Sequence, residues 1–234
     1  SGAGMVTCAF PGLPPTCTMN SLILMSLEAA ASGSLCEESL AEIRDLLKKN
    51  LTVVVGPGML GGESERCILE EVFFSLKPVV VDAGGLMQLH HFEGVLKCRE
   101  SPVVLTPHTG ELRRVAESLN LLGEDEELAQ ELSLRLNAIV VLKGQFTRIY
   151  CPDKSVLINS SGCASLATAG SGDVLAGIIG AFISDCSDVK LAVAAAVYVH
   201  GLLGECTGNG LRGTVADDFV ELLPSVLKSL SPFN

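Results

Sequence analysis

The sequence predicts an α/β fold with a mostly parallel central sheet and helices on both faces. Three observations lead there. Short apolar runs at Thr52–Val55, Pro78–Val81, Pro102–Leu105 and Ala138–Leu142 are bounded by turn residues and have no polar side. That is the pattern of strands covered on both faces. Segments of helical length separate these runs, and strand–helix alternation folds into a parallel sheet through right-handed crossovers. The 234-residue chain is 48% apolar, enough for one sizeable core. It has no internal repeat, low-complexity tract or linker, so a single domain over residues 1–234 is expected.

In chain order, Gly2 to Thr7 runs directly into a strand, with no lead-in. Leu22 to Ala31 is expected as a short helix and Glu37 to Lys49 as a longer one, with Leu40, Ile43, Leu46 and Leu47 at helical spacing. Strand Thr52–Val55 leads into Gly56-Pro57-Gly58-Met59-Leu60-Gly61, a helix from Glu63 to Ser75, and strand Pro78–Val81 ending at Asp82. His90 and His91 fall in a polar loop with no partner at metal-ligand spacing. Strand Pro102–Leu105 precedes helices over Gly110–Asn120 and Glu124–Leu136, the acids of Glu124–Glu127 suiting a solvated first turn. After strand Ala138–Leu142, Phe146–Cys151 and Ser155–Ile158 read as a hairpin turning at Pro152-Asp153. Helices over Asp173–Ile183, Asp188–Glu205 and Thr214–Leu230 close the chain, the Ala-rich middle one buried.

Composition narrows the function classes. A formal charge of −11 leaves no basic stripe for a nucleic acid. The apolar runs at Val174–Ile183 and Leu191–Val199 fall short of the roughly 20 residues that span a bilayer, and no signal segment opens the chain. Nine cysteines, none in a C-x-x-C pair, suggest buried reduced thiols and a cytoplasmic setting.

Ligands of parallel sheets bind beyond the carboxyl ends of the strands, so Gly56, Asp82, Thr106, Lys143 and Asp173 are expected around one cleft. The chemistry centres on Asn159 to Phe182, where small residues lead through Gly170-Ser171-Gly172 to Asp173 and an apolar helix. Uncovered N–H groups at such a helix start favour an anion. A carboxylate beside them can take a proton from a hydroxyl; the competing reading of Asp173 is a plain N-cap. Gly56-x-Gly58-x-x-Gly61 with Asp82 further on has the spacing of a dinucleotide-binding Rossmann unit, but that reading assigns the Gly170–Asp173 segment no task. No P-loop motif exists anywhere in the chain.

Together, Gly2–Thr7, Val55–Gly58, Val80–Ala83, Leu105-Thr106-Pro107-His108-Thr109-Gly110-Glu111, Val141–Gly144, Gly162–Gly180, Tyr198–Gly201 and Gly213–Asp217 resemble the ribokinase-like NAD(P)H-hydrate dehydratases. The resemblance implies a ribokinase-like fold and an ADP- or ATP-dependent carbon–oxygen lyase with Mg2+. Such an enzyme repairs hydrated NADH or NADPH by phosphorylating the hydroxyl and eliminating phosphate. It implies Asp173 as the base, with the N–H groups of Gly170, Ser171 and Gly172 holding the phosphoryl group. Lys143, Gly144, Gln145, Phe146, Thr147 and Gly172 would bind the nucleotide, Lys143 as a point charge. Gly58, Gly61 and His108 would contact the hydrate along with Asp173, and Glu111 would act on magnesium through its water shell. His200-Gly201 is assigned to close helix packing.

Two departures from the family pattern stand out. The family's earlier glycine-rich strand–loop is absent from the sequence, which suggests an N-terminally incomplete domain, and Gly84 replaces the usual acid after Asp82-Ala83. A homo-oligomer, such as a tetramer, and an NAD(P)H-hydrate epimerase as functional partner are further implications. The alternatives are a ribokinase-like kinase of a small alcohol or vitamin precursor, the Rossmann dehydrogenase, and a non-catalytic nucleotide-binding protein.

Overall fold

Val79, Val80 and Val81 are each 0% exposed, because successive side chains of a strand point to opposite faces and both faces here are covered. Val79 and Val81 enter one core and Val80 the other. In the computed structural model, which describes residues 3–11, 22–27, 39–208 and 213–231, this strand belongs to a six-stranded sheet.

The chain begins with β1 (Val6–Pro11) and β2 (Leu22–Leu27), paired in parallel from Val6↔Leu22 to Pro11↔Leu27 as a separate two-stranded sheet. The helix expected over Leu22–Ala31 is therefore corrected to a strand as far as Leu27. The apolar run there lacks a polar face, and β1 supplies the backbone partners; the rest of that span lies outside the described residues. Helix α1 (Ser39–Lys49) follows, burying Ile43 and Leu47.

The main sheet runs β3 (Val53–Val55), β4 (Val79–Val81), β5 (Val103–Leu105), β6 (Ile139–Leu142), β7 (Arg148–Tyr150) and β8 (Val156–Ile158) in that spatial order. Strands β3 to β6 are parallel, and β7 and β8 return as the antiparallel hairpin that Pro152-Asp153 predicted. Crossover helices α2 (Glu63–Phe74), α4 (Thr109–Ser118) and α5 (Asp125–Leu136) pack with α1 on one face. On the other face lie α6 (Ser171–Ile183), α7 (Val189–Cys206) and α8 (Ala216–Leu230).

The polar loop expected around His90 and His91 is instead a 3-10 stretch, Ala83–His91, followed by the short α3 (Glu93–Lys97). Leu86 and Leu89 anchor it in the core at 1% and 0% exposure. Helix α7 is also longer than its apolar run suggested. Its 18 residues are long and apolar enough to cross a membrane, yet half of them are buried in the protein. Ala192, Val193, Ala196, Val197 and Leu203 enter the core that α6 and α8 share, which makes α7 a core helix. Every cysteine among the described residues is free.

Candidate active site

Parallel strands β3 to β6 bring their carboxyl ends to one edge of the sheet, and the loops that leave them interlock. The Lys143 N–H donates to Pro107 O at 2.9 Å, and His108 forms an isolated parallel bridge with Lys143. The turn after β5 is thereby pinned to the turn after β6. Lys143 Nζ then donates to Asp82 Oδ1 at 2.9 Å and stands 3.7 Å from Glu111 Oε2. Asp82 is 2% exposed, so its charge needs this partner.

The first turn of α6 closes on the same ammonium. A Cβ placed on Gly172 would lie 3.2 Å from Lys143 Nζ and 3.8 Å from Asp82 Oδ2. Asp173, one residue on, has its carboxyl pushed above the ordinary carboxylate range. Partial burial is the first cause and the Asp82 charge the second, with Lys143 pulling the other way. A carboxylate held basic beside uncommitted N–H donors is equipped to deprotonate a hydroxyl next to an anion.

Gly170 caps α6 in a left-handed conformation (φ 83°), which only glycine adopts without cost, and supplies no side-chain cap. One detail of the expected anion hole changes. The Ser171 N–H already donates to Thr168 O at 3.3 Å, and Val174 N–H donates to Gly170 O at 3.1 Å. Among the described residues this leaves the N–H groups of Gly170, Gly172 and Asp173 as the free donors at the start of α6.

His108 is the N-cap of α4. Its Nδ1 accepts from Gly110 N–H at 3.0 Å and Glu111 N–H at 3.4 Å, while Glu111 Oε2 accepts from His108 N–H at 2.8 Å. This reciprocal box holds Glu111 toward Lys143. With 58% of its side chain exposed, the outer edge of His108 is left open. The nucleotide segment is open too: Gln145 is exposed, Phe146 is 59% exposed, and Thr147 Oγ1 donates to Gly144 O at 3.3 Å.

The turn after β3 packs onto this cluster from the side. Gly56 (φ 118°) lies so close that a Cβ would sit 1.8 Å from Asp82 O, and one on Gly84 would sit 2.1 Å from Met59 O. Gly84 therefore has no room for a side chain. Gly58 faces open space, whereas Gly61 lines a cavity of about 260 Å³ with Gly62, Glu63, Arg66, Gln88 and His91. His91, which the sequence assigned no task, thus joins the wall beside Gly61. Neither Gly58 nor Gly61 belongs to the hydrogen-bonded cluster around Lys143.

This geometry removes the Rossmann alternative. Asp82 is committed to Lys143, so it cannot hold a ribose. The strands β3 to β6 also follow one another without the reversal of order at which a dinucleotide would bind.

Sequence reasoning missed two residues. From sequence, Asp82 reads as a cleft residue and as the acid of the Rossmann alternative, although an acid and a lysine at two strand ends are a readable pair. His200 is buried on α7 with its Nε2 3.0 Å from Ser171 O; no local pattern in the sequence signals that contact.

A Mg2+–nucleotide pair suits the donor set. Among the described residues no group of three or more His, Cys, Asp or Glu is placed to cage a metal. Magnesium typically takes one or two carboxylates plus phosphate oxygens rather than an all-protein cage. Glu111 could supply a carboxylate here, Lys143 a positive charge for phosphate, and Gly170, Gly172 and Asp173 their N–H groups.

A family model described as NAD(P)H-hydrate dehydratase matches residues 1–223. The chain belongs to the NAD(P)H-hydrate dehydratase family. The bifunctional NAD(P)H-hydrate repair enzyme Nnr of Moorella thermoacetica is 34% identical over 238 residues, covering 98% of this chain and 45% of that protein. The chain thus spans less than half the length of this relative. The ADP/ATP-dependent NAD(P)H-hydrate dehydratase of Bacillus subtilis, co-crystallised with ATP/Mg2+, superposes with a TM-score of 0.71 at 28% identity, covering 92% of this chain and 74% of that one. A ribokinase-like superfamily protein from Enterococcus faecalis reaches the same TM-score at 22% identity, over 89% and 70% of the two chains. The fold of this family member is ribokinase-like.

Proposed function

We propose that this protein is an ADP- or ATP-dependent NAD(P)H-hydrate dehydratase. The observation that carries the proposal is the placement of Asp173 next to the free Gly172 and Asp173 N–H groups and the Lys143–Asp82–Glu111 cluster. Membership of the family supplies the substrate. The hydrate carries its hydroxyl on the ring carbon beside nitrogen, and hydroxide is a poor leaving group.

Asp173 takes the hydroxyl proton as that oxygen bonds to the terminal phosphorus. The N–H groups of Gly172 and Asp173 hold the phosphoryl oxygens, and Lys143 meets the remaining phosphate charge. The phosphoanhydride bond to the terminal phosphorus breaks as the new bond forms, releasing ADP from ATP or AMP from ADP, and Glu111 would hold Mg2+ through its water shell. The carbon–oxygen bond then breaks with phosphate leaving, the ring nitrogen pushes the electron pair, and loss of a ring C–H proton restores the double bond. His108, Gly58 and Gly61 face the hydrate, while Gly144 through Thr147 frame the nucleotide.

The protein works in the cytoplasm as a homo-oligomer. It acts alongside an NAD(P)H-hydrate epimerase, a pairing that the bifunctional relative supports. The deciding measurement is absorbance at 340 nm on prepared NADH hydrate with Mg2+, adding ADP and ATP separately. A nucleotide-dependent rise is expected and identifies the donor; adenine nucleotide binding with no rise from either would refute the assignment.

A further inference from the structure

His200 lies on the inner side of α7, 7% exposed, with its ring edge-on to Phe219 at 6.1 Å between centroids. Its Nε2 is 3.0 Å from the Ser171 carbonyl oxygen and 3.1 Å from Ser171 Oγ. A carbonyl oxygen can only accept, so Nε2 carries the hydrogen and donates to Ser171 O, with Oγ sharing the same hydrogen.

The Ser171 carbonyl is one end of a planar peptide unit whose other end is the Gly172 N–H. Holding the oxygen therefore sets the direction of that N–H, and a bond accepted at the oxygen polarises it into a better donor. Gly172 is also one of the free donors at the start of α6 among the described residues.

The same stretch of α7 holds the loop that leads into the site. Ser161 Oγ donates to Tyr198 O at 2.9 Å, and Gly162 N–H donates to Glu205 Oε1 at 2.7 Å. Cys163 Sγ lies 3.1 Å from Gly204 O. A Cβ on Gly201 would fall 2.0 Å from Ser161 Oγ, so Gly201 is what lets the loop reach the helix. The expected packing role fits Gly201; His200 does something else.

We infer that His200 is a positioning residue for phosphoryl transfer: its Nε2–H clamps the Ser171–Gly172 peptide so that the Gly172 N–H faces the transferred phosphoryl group. The inference rests on the phosphoryl chemistry proposed above. It extends that chemistry to a side chain buried behind the first turn of α6.

Two substitutions separate positioning from packing. His200→Met fills comparable volume without a donor, whereas His200→Gln can place an N–H where Nε2 stands. Relative to wild type, His200→Met is expected to lose kcat on the order of 10-fold to 100-fold, less than outright removal of an anion-hole donor. The KM for nucleotide should stay within about twofold, because Lys143 is untouched. His200→Gln should recover most of the lost kcat. Equal kcat losses in the two variants, in step with equal falls in Tm, would reduce His200 to packing, as would an unchanged kcat in His200→Met.

A second arm needs no activity and no variant. Long-range 1H–15N spectra of the wild-type protein at pH 7 should show His200 as the Nε2–H tautomer. An Nδ1–H tautomer would overturn the clamp even in a fully active enzyme. A wild-type protein that leaves NADH hydrate unchanged with both nucleotides would sink the functional assignment and this extension of it, while an Nε2–H signal in that protein would still establish the bond to Ser171.

Discussion

Asp173 and Lys143 sit in one electrostatic circuit, so their substitutions have signed consequences. The Asp173 carboxyl is raised by burial and by Asp82 and lowered by Lys143. The acidic limb of kcat/KM should therefore lie above the ordinary Asp value of about 3.9. Lys143→Met removes the lowering charge and should move that limb to higher pH; Asp82→Asn removes a raising charge and should move it lower. A pH–rate profile reads both shifts. Asp173→Asn should lose about 100-fold to 10,000-fold in kcat with nucleotide affinity nearly unchanged. Because a raised carboxyl disfavours the charged folded form, the same variant should be at least as stable as wild type at pH 7, measured by urea unfolding. Asp173 and Lys143 were legible as site residues because each follows a strand or opens a helix beside small residues. Glu111 was legible too, but its fixed orientation through the His108 cap was not, since a cap depends on which residue the helix starts at.

Among the elements, two glycines of the turn after β3 make a matched test. Gly56 has φ 118° and no space, its Cβ falling 1.8 Å from Asp82 O, whereas Gly58 has φ 78° and nothing within 4 Å. Gly56→Ala should cost about 3 kcal/mol or more through strain and displacement of Asp82. Gly58→Ala should cost about 1–2 kcal/mol for its left-handed backbone, while raising KM for the hydrate. Chemical denaturation compares the two. His108→Ala should lose about 1 kcal/mol with the α4 cap and His108→Asn much less; if His108 also contacts the hydrate, both raise its KM. The parallel strands β4 to β6 were readable because a strand buried on both faces must be apolar throughout. Strand β2 was not, since a short apolar run fits a helix as well as a strand until a partner such as β1 is known. The 3-10 stretch Ala83–His91 was missed because Ala83-Gly84-Gly85 reads as a turn, and a single i, i+3 pair, Leu86 and Leu89, is too short a repeat to signal a helix.

For the molecule as a whole, acid stability should report the buried imidazole. His200 is pushed down to about 4 by burial, from the ordinary histidine value of about 6.5. Between those two pH values the unfolded chain binds the proton and the folded protein does not. Unfolding free energy should therefore fall as pH drops from about 6.5 toward 4, by an amount on the order of 3 kcal/mol at the lower end. His200→Gln should flatten that part of the curve, as read by urea midpoints across the range. Nucleotide binding to the folded state alone should add about 2.7 kcal/mol at 100 times its Kd, visible as a concentration-dependent rise in Tm.

The order of strands β3 to β8, the sign of the charge, the candidate base Asp173 and the family membership could all be reached from the linear chain. Each depends on local pattern: apolar runs without a polar face, glycines before a helix, motifs in a recognisable order. The tertiary structure decided which of these groups meet. It paired Lys143 with Asp82 across 61 positions of sequence, took the Ser171 N–H out of the anion hole, and put His200 against the Ser171 carbonyl from a helix 29 residues away. Such contacts follow from how layers pack on a sheet, and no window along the chain carries that information.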